Sequence, residues 1–314
     1  MAYAITYSQL GDPSVLTMTE VPEPTAGAGE LVVKIEAAGV NPIDAKLRKG
    51  LRASGPITEP RRVGFDGAGV VTAVGAGVSG FEPGDRVAIH DSVGTYATAL
   101  AVKADKAFVL PENVSFAAAA GIGIPVGTAY QSLRSLGVGV GDIVLIHAGS
   151  GAVGQAAVQY AVAWGATVIA TASPARHDQL RQLGAIPVAY GPGLTERVRE
   201  IAPDGVNVAY DCAGTDEAIQ TSLDLVADRN RIATIVRGGD AAGFGIRAFS
   251  GGSPVALTDE ELAWRAEAIP ETIALLERDE FVIELGPEFA LADAARAHEL
   301  IETGAAGGKI VLLP

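Results

Sequence analysis

The sequence predicts an α/β protein in two domains: a β-rich N-terminal domain of irregular barrel or sandwich character, then a domain built on a parallel sheet with crossover helices. Three observations predict it. Short apolar runs separated by turn-forming pairs fill the first third, β-like runs alternate with helical ones from Asp142 onward, and 314 residues exceed the roughly 100 to 200 of a single domain.

The N-terminal runs are 2–6, Leu31 to Ala37, Val63 to Val74, Arg86 to Ile89 and Tyr96 to Val102. They are punctuated by GDP at 11–13, NP at 41–42 and PGD at 83–85. In the second part IVLIHA leads through a glycine loop into an amphipathic stretch ending at Trp164. ATVIAT then leads into ARHDQLRQLGA, IPVAY into LTERVREI and VNVAYD into DEAIQTSLDLV, and RIATIV closes the series. Helical patterns over Asp259 to Arg278 and Ala292 to Thr303 flank a strand-like FVIEL and precede a last strand, KIVLL. A helix and strand after a complete nucleotide-type sheet are expected to return to the first domain.

Composition narrows the function. The chain is 48% hydrophobic and 19% charged with a net charge of −14, which argues against disorder, nucleic-acid binding and an anionic membrane surface. A single cysteine, Cys212, allows neither an internal disulfide nor a multi-cysteine zinc site, and fits the cytoplasm. The start lacks the basic and apolar regions of a secretory signal. The uncharged stretch from Ile143 to Ala175 is interrupted by its glycine loop, Gln155 and Gln159, so it does not read as a membrane span.

The loop Gly149-Ser150-Gly151-Ala152-Val153-Gly154 has G-x-G-x-x-G spacing between a strand and a helix. In that context Gly149 permits a tight turn, Gly151 lets backbone N–H groups approach a pyrophosphate, and Gly154 permits close packing of helix on strand. An acid at the end of the second strand would select the unphosphorylated nicotinamide dinucleotide. Ala172-Ser173-Pro174-Ala175-Arg176-His177 stands there instead, with Asp178 the nearest carboxylate. A guanidinium pairs with a 2′-phosphate, so the sequence predicts NADPH.

The segments GVNPIDAKLRKG at 39–50, GFDGAGVVTAVGAGVSGFEPGDRV at 64–87, GTYATALAV at 94–102 and AAGIGIPVGTAY at 119–130 carry a broader likeness, with the cofactor loop, TASPARHDQLRQLGA at 171–185 and AHELIETGAAGGKIVLL at 297–313. Together they resemble the zinc-free branch of the medium-chain dehydrogenases/reductases, the quinone oxidoreductase or zeta-crystallin-like group, over nearly the whole chain. The resemblance implies a partly open, GroES-like β-barrel over 1–123 completed by 254–314. It also implies a doubly wound Rossmann domain over 124–253, with NADPH in the cleft and a homodimeric assembly. It places Asn41 beside the nicotinamide, Thr128 near that end of the cofactor, and Ser173, Arg176 and Tyr190 around the 2′-phosphate. The stretches Val236-Arg237-Gly238 and Phe249 to Gly251 would close over the cofactor. One departure is Ala152, where members often carry a second consecutive glycine. Zinc-dependent relatives have a cysteine followed by an acid in the first segment and Gly-His-Glu in the second. Here those positions read Asn41 to Asp44 and Gly64-Phe65-Asp66.

Without a metal the hydride acceptor must be electrophilic in itself, as quinones, enones and enals are, and the protein supplies orientation and a dry slot. Asn41 is a candidate donor to a substrate carbonyl, set against turn chemistry before Pro42. Asp44 either relays a proton or ties Lys46 or Arg48 in place. Tyr96 either donates to a carbonyl or is a satisfied residue of a strand. The expected activity is NADPH-dependent reduction of quinones or similar conjugated carbonyls. The alternatives are an enoyl or alkenal double-bond reductase and, in another class, a non-catalytic NADPH sensor or crystallin-like structural protein. Ser150 sits between two glycines but has Ala148 and Ala152 at the outer positions where a nucleophile elbow has glycines, and Cys212 reads as a packing residue.

Overall fold

The structure is a computed structural model that describes residues 1–52, 54–249, 253 and 255–314. The chain forms two compact units, Met1–Ile124 with Ile269–Pro314, and Pro125–Ala268.

In the second unit, six strands among the described residues form one parallel sheet. Its order is Ile186–Ala189, Thr167–Ala172, Ile143–His147, Val208–Asp211, Ile232–Thr234, Arg247–Ala248. In chain order that is 3-2-1-4-5-6, the doubly wound Rossmann arrangement, whose crevice opens at the carboxyl ends of the first and fourth strands. The strands are apolar along their length because helices cover both faces: Val144, Leu145 and Ile146 are all buried. The helices follow from their own patterns. Leu194–Ile201 places Leu194, Val198 and Ile201 on one stripe, and Thr215 caps Asp216–Leu225 by accepting from Ala218 N–H at 3.1 Å.

The first unit is a GroES-like β structure. Strands Leu285–Ala290, Lys309–Leu313, Glu30–Gly39, Asp66–Val74, Arg86–Ile89 and Ala107–Val109 follow one another, and Ala99–Lys103 also pairs with Glu30–Gly39. A smaller sheet joins Thr17–Val21, Ala2–Tyr7 and Arg61–Arg62. The C-terminal strand pairs antiparallel with Glu30–Gly39, Val311 opposite Gly39, which is the expected return of the tail. The core includes Ile5, Leu31, Val33, Ile35, Ile89 and Leu312.

Several expected elements differ. FVIEL is not a strand: Phe281 is buried as an anchor, Glu284 O accepts from Lys309 N–H at 2.8 Å, and pairing starts only at Leu285. The run from Val63 becomes a strand only at Asp66. Tyr96 lies in irregular chain before Ala99–Lys103, joined to the N-terminal strand through a single bridge between Ala4 and Ala97. The NP turn is a helix start. Asn41 is extended, as the residue before a proline prefers, and Pro42 opens the helix Pro42–Arg48, where its missing N–H costs nothing.

Candidate functional site

Two groups of candidate residues are drawn together, one in each unit. In the second unit the strand Ile143–His147 ends at Ala148, a non-glycine residue with φ of 54°. Its amide donates to Thr171 Oγ1 at 3.0 Å and the Gly149 amide to Thr171 O at 2.9 Å, so the neighbouring strand fixes the loop. The three glycines are required for different reasons. A Cβ on Gly149 would lie 2.7 Å from Ala170 Cβ, and one on Gly154 would lie 2.3 Å from Ala148 O. A Cβ on Gly151 would meet nothing closer than Ala148 O at 3.5 Å. Folding therefore demands the outer two glycines and leaves the middle one free.

Gly151 and Ala152 are exposed, and Val153 is half-buried. The helix Ala152–Ala163 starts there with no capping side chain and no acid in its first turn. Its N-terminal N–H groups, at the positive end of the helix dipole, suit an anion. Gln155 donates to Ser150 O at 2.8 Å and holds the loop from behind.

At the carboxyl edge Ala172 pairs with Ala189, so Ser173 and Tyr190 emerge side by side from adjacent strands. Ser173 opens the turn Pro174–Arg176 and makes no cap bond. Tyr190 is 60% exposed. Asp178, in the helix His177–Gln182, pairs with Arg181 at 2.5 Å. Thr128 is buried on the helix Gly123–Ser135.

On the other side of the crevice, Asp211 organises the loops and was not singled out by sequence reasoning. Its Oδ1 accepts from Ala213 and Gly214 N–H at 2.9 and 2.8 Å, and its Oδ2 accepts from the Thr234 hydroxyl at 2.7 Å. Thr234 Oγ1 accepts in turn from the amides of Val236 and Arg237 at 3.1 and 3.0 Å. The Arg237 guanidinium lies between Asp216 and Asp240, at 2.8 and 2.5 Å. Phe249 is buried beneath the Arg247 guanidinium, and Gly251 lies outside the described residues. His147 is buried against Ser222 Oγ at 3.1 Å, and desolvation takes its pKa down to about 4. Burial pushes the Cys212 thiol up, in keeping with a packing residue.

In the first unit Asn41, Asp44 and Tyr96 meet in a buried polar chain. Asn41 Nδ2 donates to Asp66 Oδ2 at 2.8 Å, and its Oδ1 accepts from Lys309 Nζ at 2.6 Å. The Asn41 amide N–H and the Tyr96 hydroxyl both donate to Asp44 Oδ2, at 2.8 and 2.9 Å. Behind Tyr96 stands His298, with Nε2 at 3.4 Å from the hydroxyl, and Arg48 Nε donates to its Nδ1 at 3.3 Å. Donor counting fixes the direction. His298 accepts at Nδ1, so its proton sits on Nε2 and points to Tyr96, whose own proton points to Asp44.

Asp44 ties neither Lys46 nor Arg48. Arg48 instead reaches Gly11 O at 2.7 Å and forms an ion pair with Glu302, so the expected tether is corrected to Tyr96 and Asn41. Burial outweighs the two donors to Asp44 and takes its pKa up to about 7. Burial raises Asp66, against the nearby Lys309 charge, and lowers Lys309, against Asp66 and Asp44. Burial and the Arg48 charge bring His298 down to about 3. Asp44 Oδ1 and Asp66 Oδ1 have no hydrogen-bond partner among the described residues.

Two family models match consecutive parts of the chain. The family model for an alcohol dehydrogenase GroES-like domain matches residues 27–152, and that for a zinc-binding dehydrogenase matches 152–249. A quinone oxidoreductase of Pseudomonas aeruginosa is 34% identical, with the whole of both chains covered. The chain belongs to the quinone oxidoreductase family. A quinone oxidoreductase of Sus scrofa is 32% identical over 99% of this chain and 97% of that one. Among solved structures, the Escherichia coli quinone oxidoreductase complexed with NADPH matches with a TM-score of 0.85 at 29% identity, covering 99% of this chain and 100% of that one. In this member of the quinone oxidoreductase family, the carboxylate of the Gly-Phe-Asp segment is bound to Asn41 and to the amide of Ile124 at 2.9 Å.

Proposed function

We propose that the protein is an NADPH-dependent oxidoreductase that passes a hydride to quinones or similar conjugated carbonyls without a metal. The observation that carries this reading is the loop with two glycines forced by packing and a third that packing among the described residues does not require. That third glycine opens the uncapped helix at the crevice of a doubly wound sheet. Full-length relationship to quinone oxidoreductases supports the choice of acceptor.

In this reading residues 124–253 bind the cofactor, and 1–123 with 254–314 serve the substrate. The Gly149 to Gly154 backbone receives the pyrophosphate, and Ser173, Arg176 and Tyr190 receive the 2′-phosphate. Thr128 lies toward the nicotinamide end, and Val236, Arg237 and Phe249 close over the cofactor. The reduced nicotinamide, when bound, supplies the hydride.

The chain's own part is to orient the acceptor and to hold a proton. Asn41 has one amide hydrogen committed to Asp66 and the other directed at Gly39 O over a long 3.4 Å, so only the second is open to a substrate oxygen. Asp44, with an unpartnered Oδ1 and a pKa brought near neutrality, holds the proton that accompanies a hydride when a quinone becomes a quinol. Tyr96 and His298 keep Asp44 in place. The single cysteine and acidic charge support a cytoplasmic enzyme without a nucleic-acid partner, and family membership supports a homodimer.

Consumption of NADPH and of NADH, measured with quinones, enones, enals and no acceptor, tests the reading. It expects rapid quinone turnover with NADPH. Faster turnover of enals or enones would replace it with a double-bond reductase, and NADPH binding without turnover would replace it with a sensor or structural role.

A further inference from the structure

The turn that carries Tyr190 is held far more firmly than an exposed aromatic residue needs. Arg197, from the following helix, folds back over it. Its Nε and Nη2 donate to Ala189 O at 3.2 and 2.8 Å, Nη2 also to Gly191 O at 2.8 Å, and Nη1 to Pro192 O at 2.8 Å. From the other side Glu217 accepts from Gly191 N–H at 2.8 Å. Gly191 and Gly193 have φ of 100° and 82°, which lets the carbonyls of the turn converge on one guanidinium.

The charge balance is equally informative. The protein has 37 acidic side chains against 23 basic ones, and arginines such as Arg181, Arg199, Arg231 and Arg237 have carboxylate partners within 4 Å. Arg197 has none among the described residues, only carbonyl oxygens. Its guanidinium therefore sits beside the edge where Ser173 and Tyr190 emerge with no carboxylate paired to it, Glu217 being bound to the Gly191 amide instead.

We propose that Arg197 is a positioning residue for the 2′-phosphate of NADPH, fixing the turn that presents Tyr190 with a guanidinium that no carboxylate pairs directly. The inference rests on the assignment of Ser173, Arg176 and Tyr190 to the 2′-phosphate. Ordering the turn beforehand removes an entropic cost from binding, and a guanidinium without a paired carboxylate favours the dianionic phosphate over a plain ribose.

The test is calorimetric titration with adenosine 2′,5′-bisphosphate and with AMP, which lacks the 2′-phosphate. Arg197→Ala is expected to weaken the bisphosphate about tenfold and AMP less than about twofold. KM for NADPH should rise with kcat unchanged, and Arg197→Lys should recover part of the loss. Equal weakening of both ligands, or no change in either while Arg176→Ala still discriminates them, would overturn the role of Arg197 alone. Failure of Arg176→Ala to discriminate them would overturn the assignment beneath it.

Discussion

The two groups of polar residues are built on opposite plans. The glycine loop of the second unit is exposed and incomplete: its helix has no cap, and its middle glycine has room that no part of the chain uses. The Asn41 chain of the first unit is closed: Asn41, Asp44, Asp66, Tyr96, His298 and Lys309 are all buried and bonded mainly to one another. An open site waits for a ligand to satisfy it, whereas a closed network fixes geometry and proton positions before any ligand arrives. Mutations at the open positions of the loop should therefore act through binding, and mutations in the network or at the packed glycines through folding.

The largest effect is expected from Lys309→Ala. It removes the cation beside Asp66 and leaves that carboxylate and the Asn41 amide oxygen buried without it, at a cost of about 3 to 5 kcal/mol in denaturant unfolding. A loss below about 1 kcal/mol would show that water readily enters this region, and the network would not be closed. Gly154→Ala comes next. Its methyl would sit against a backbone oxygen, so about 1 to 3 kcal/mol of stability should be lost along with cofactor binding.

Arg176→Ala acts on the open site and should leave the melting temperature almost unchanged. NADPH affinity should fall by about 1.5 to 3 kcal/mol with NADH barely affected. Equal losses for both cofactors would detach Arg176 from the 2′-phosphate.

A pH slope is the remaining effect. Asp44 rises from 3.8 to about 7 on folding, so between those values the folded protein holds a proton that the unfolded chain releases, and this contribution to stability declines as pH rises. His147 and His298, lowered from 6.5 to about 4 and about 3, act in the opposite direction: their contribution is lost as pH falls below 6.5. Subtracting the stability curve of Asp44→Asn from that of the parent isolates the first term. The difference should favour the parent at pH 4 and shrink toward pH 7, and a flat difference would mean that Asp44 is ionised throughout.

The same contrast explains what was legible in the sequence. The parallel sheet, its order of elements and the loop with its three glycines follow from local patterns, because a strand, a turn and a helix lie within some two dozen consecutive residues. The closed network is assembled from the two ends of the chain. Lys309 and Asn41 are separated by 268 positions and Arg48 and His298 by 250, and no spacing rule links such pairs. Asp44 was therefore matched with near neighbours in sequence when its partner is Tyr96. Asp66 and His298 lie in segments that carry the family resemblance, with nothing in their spacing to join them to Asn41 or Tyr96. The sole hint of Lys309 was a basic residue opening an otherwise apolar last strand.

The most direct measurement is a calorimetric titration of Gly151→Ala with NADPH beside the parent, accompanied by thermal unfolding of both. The added methyl meets nothing in the chain within 3.4 Å, so stability should change by less than about 1 kcal/mol while NADPH affinity falls at least about tenfold. Parental affinity in a stably folded Gly151→Ala would contradict the claim that this loop is shaped for the cofactor.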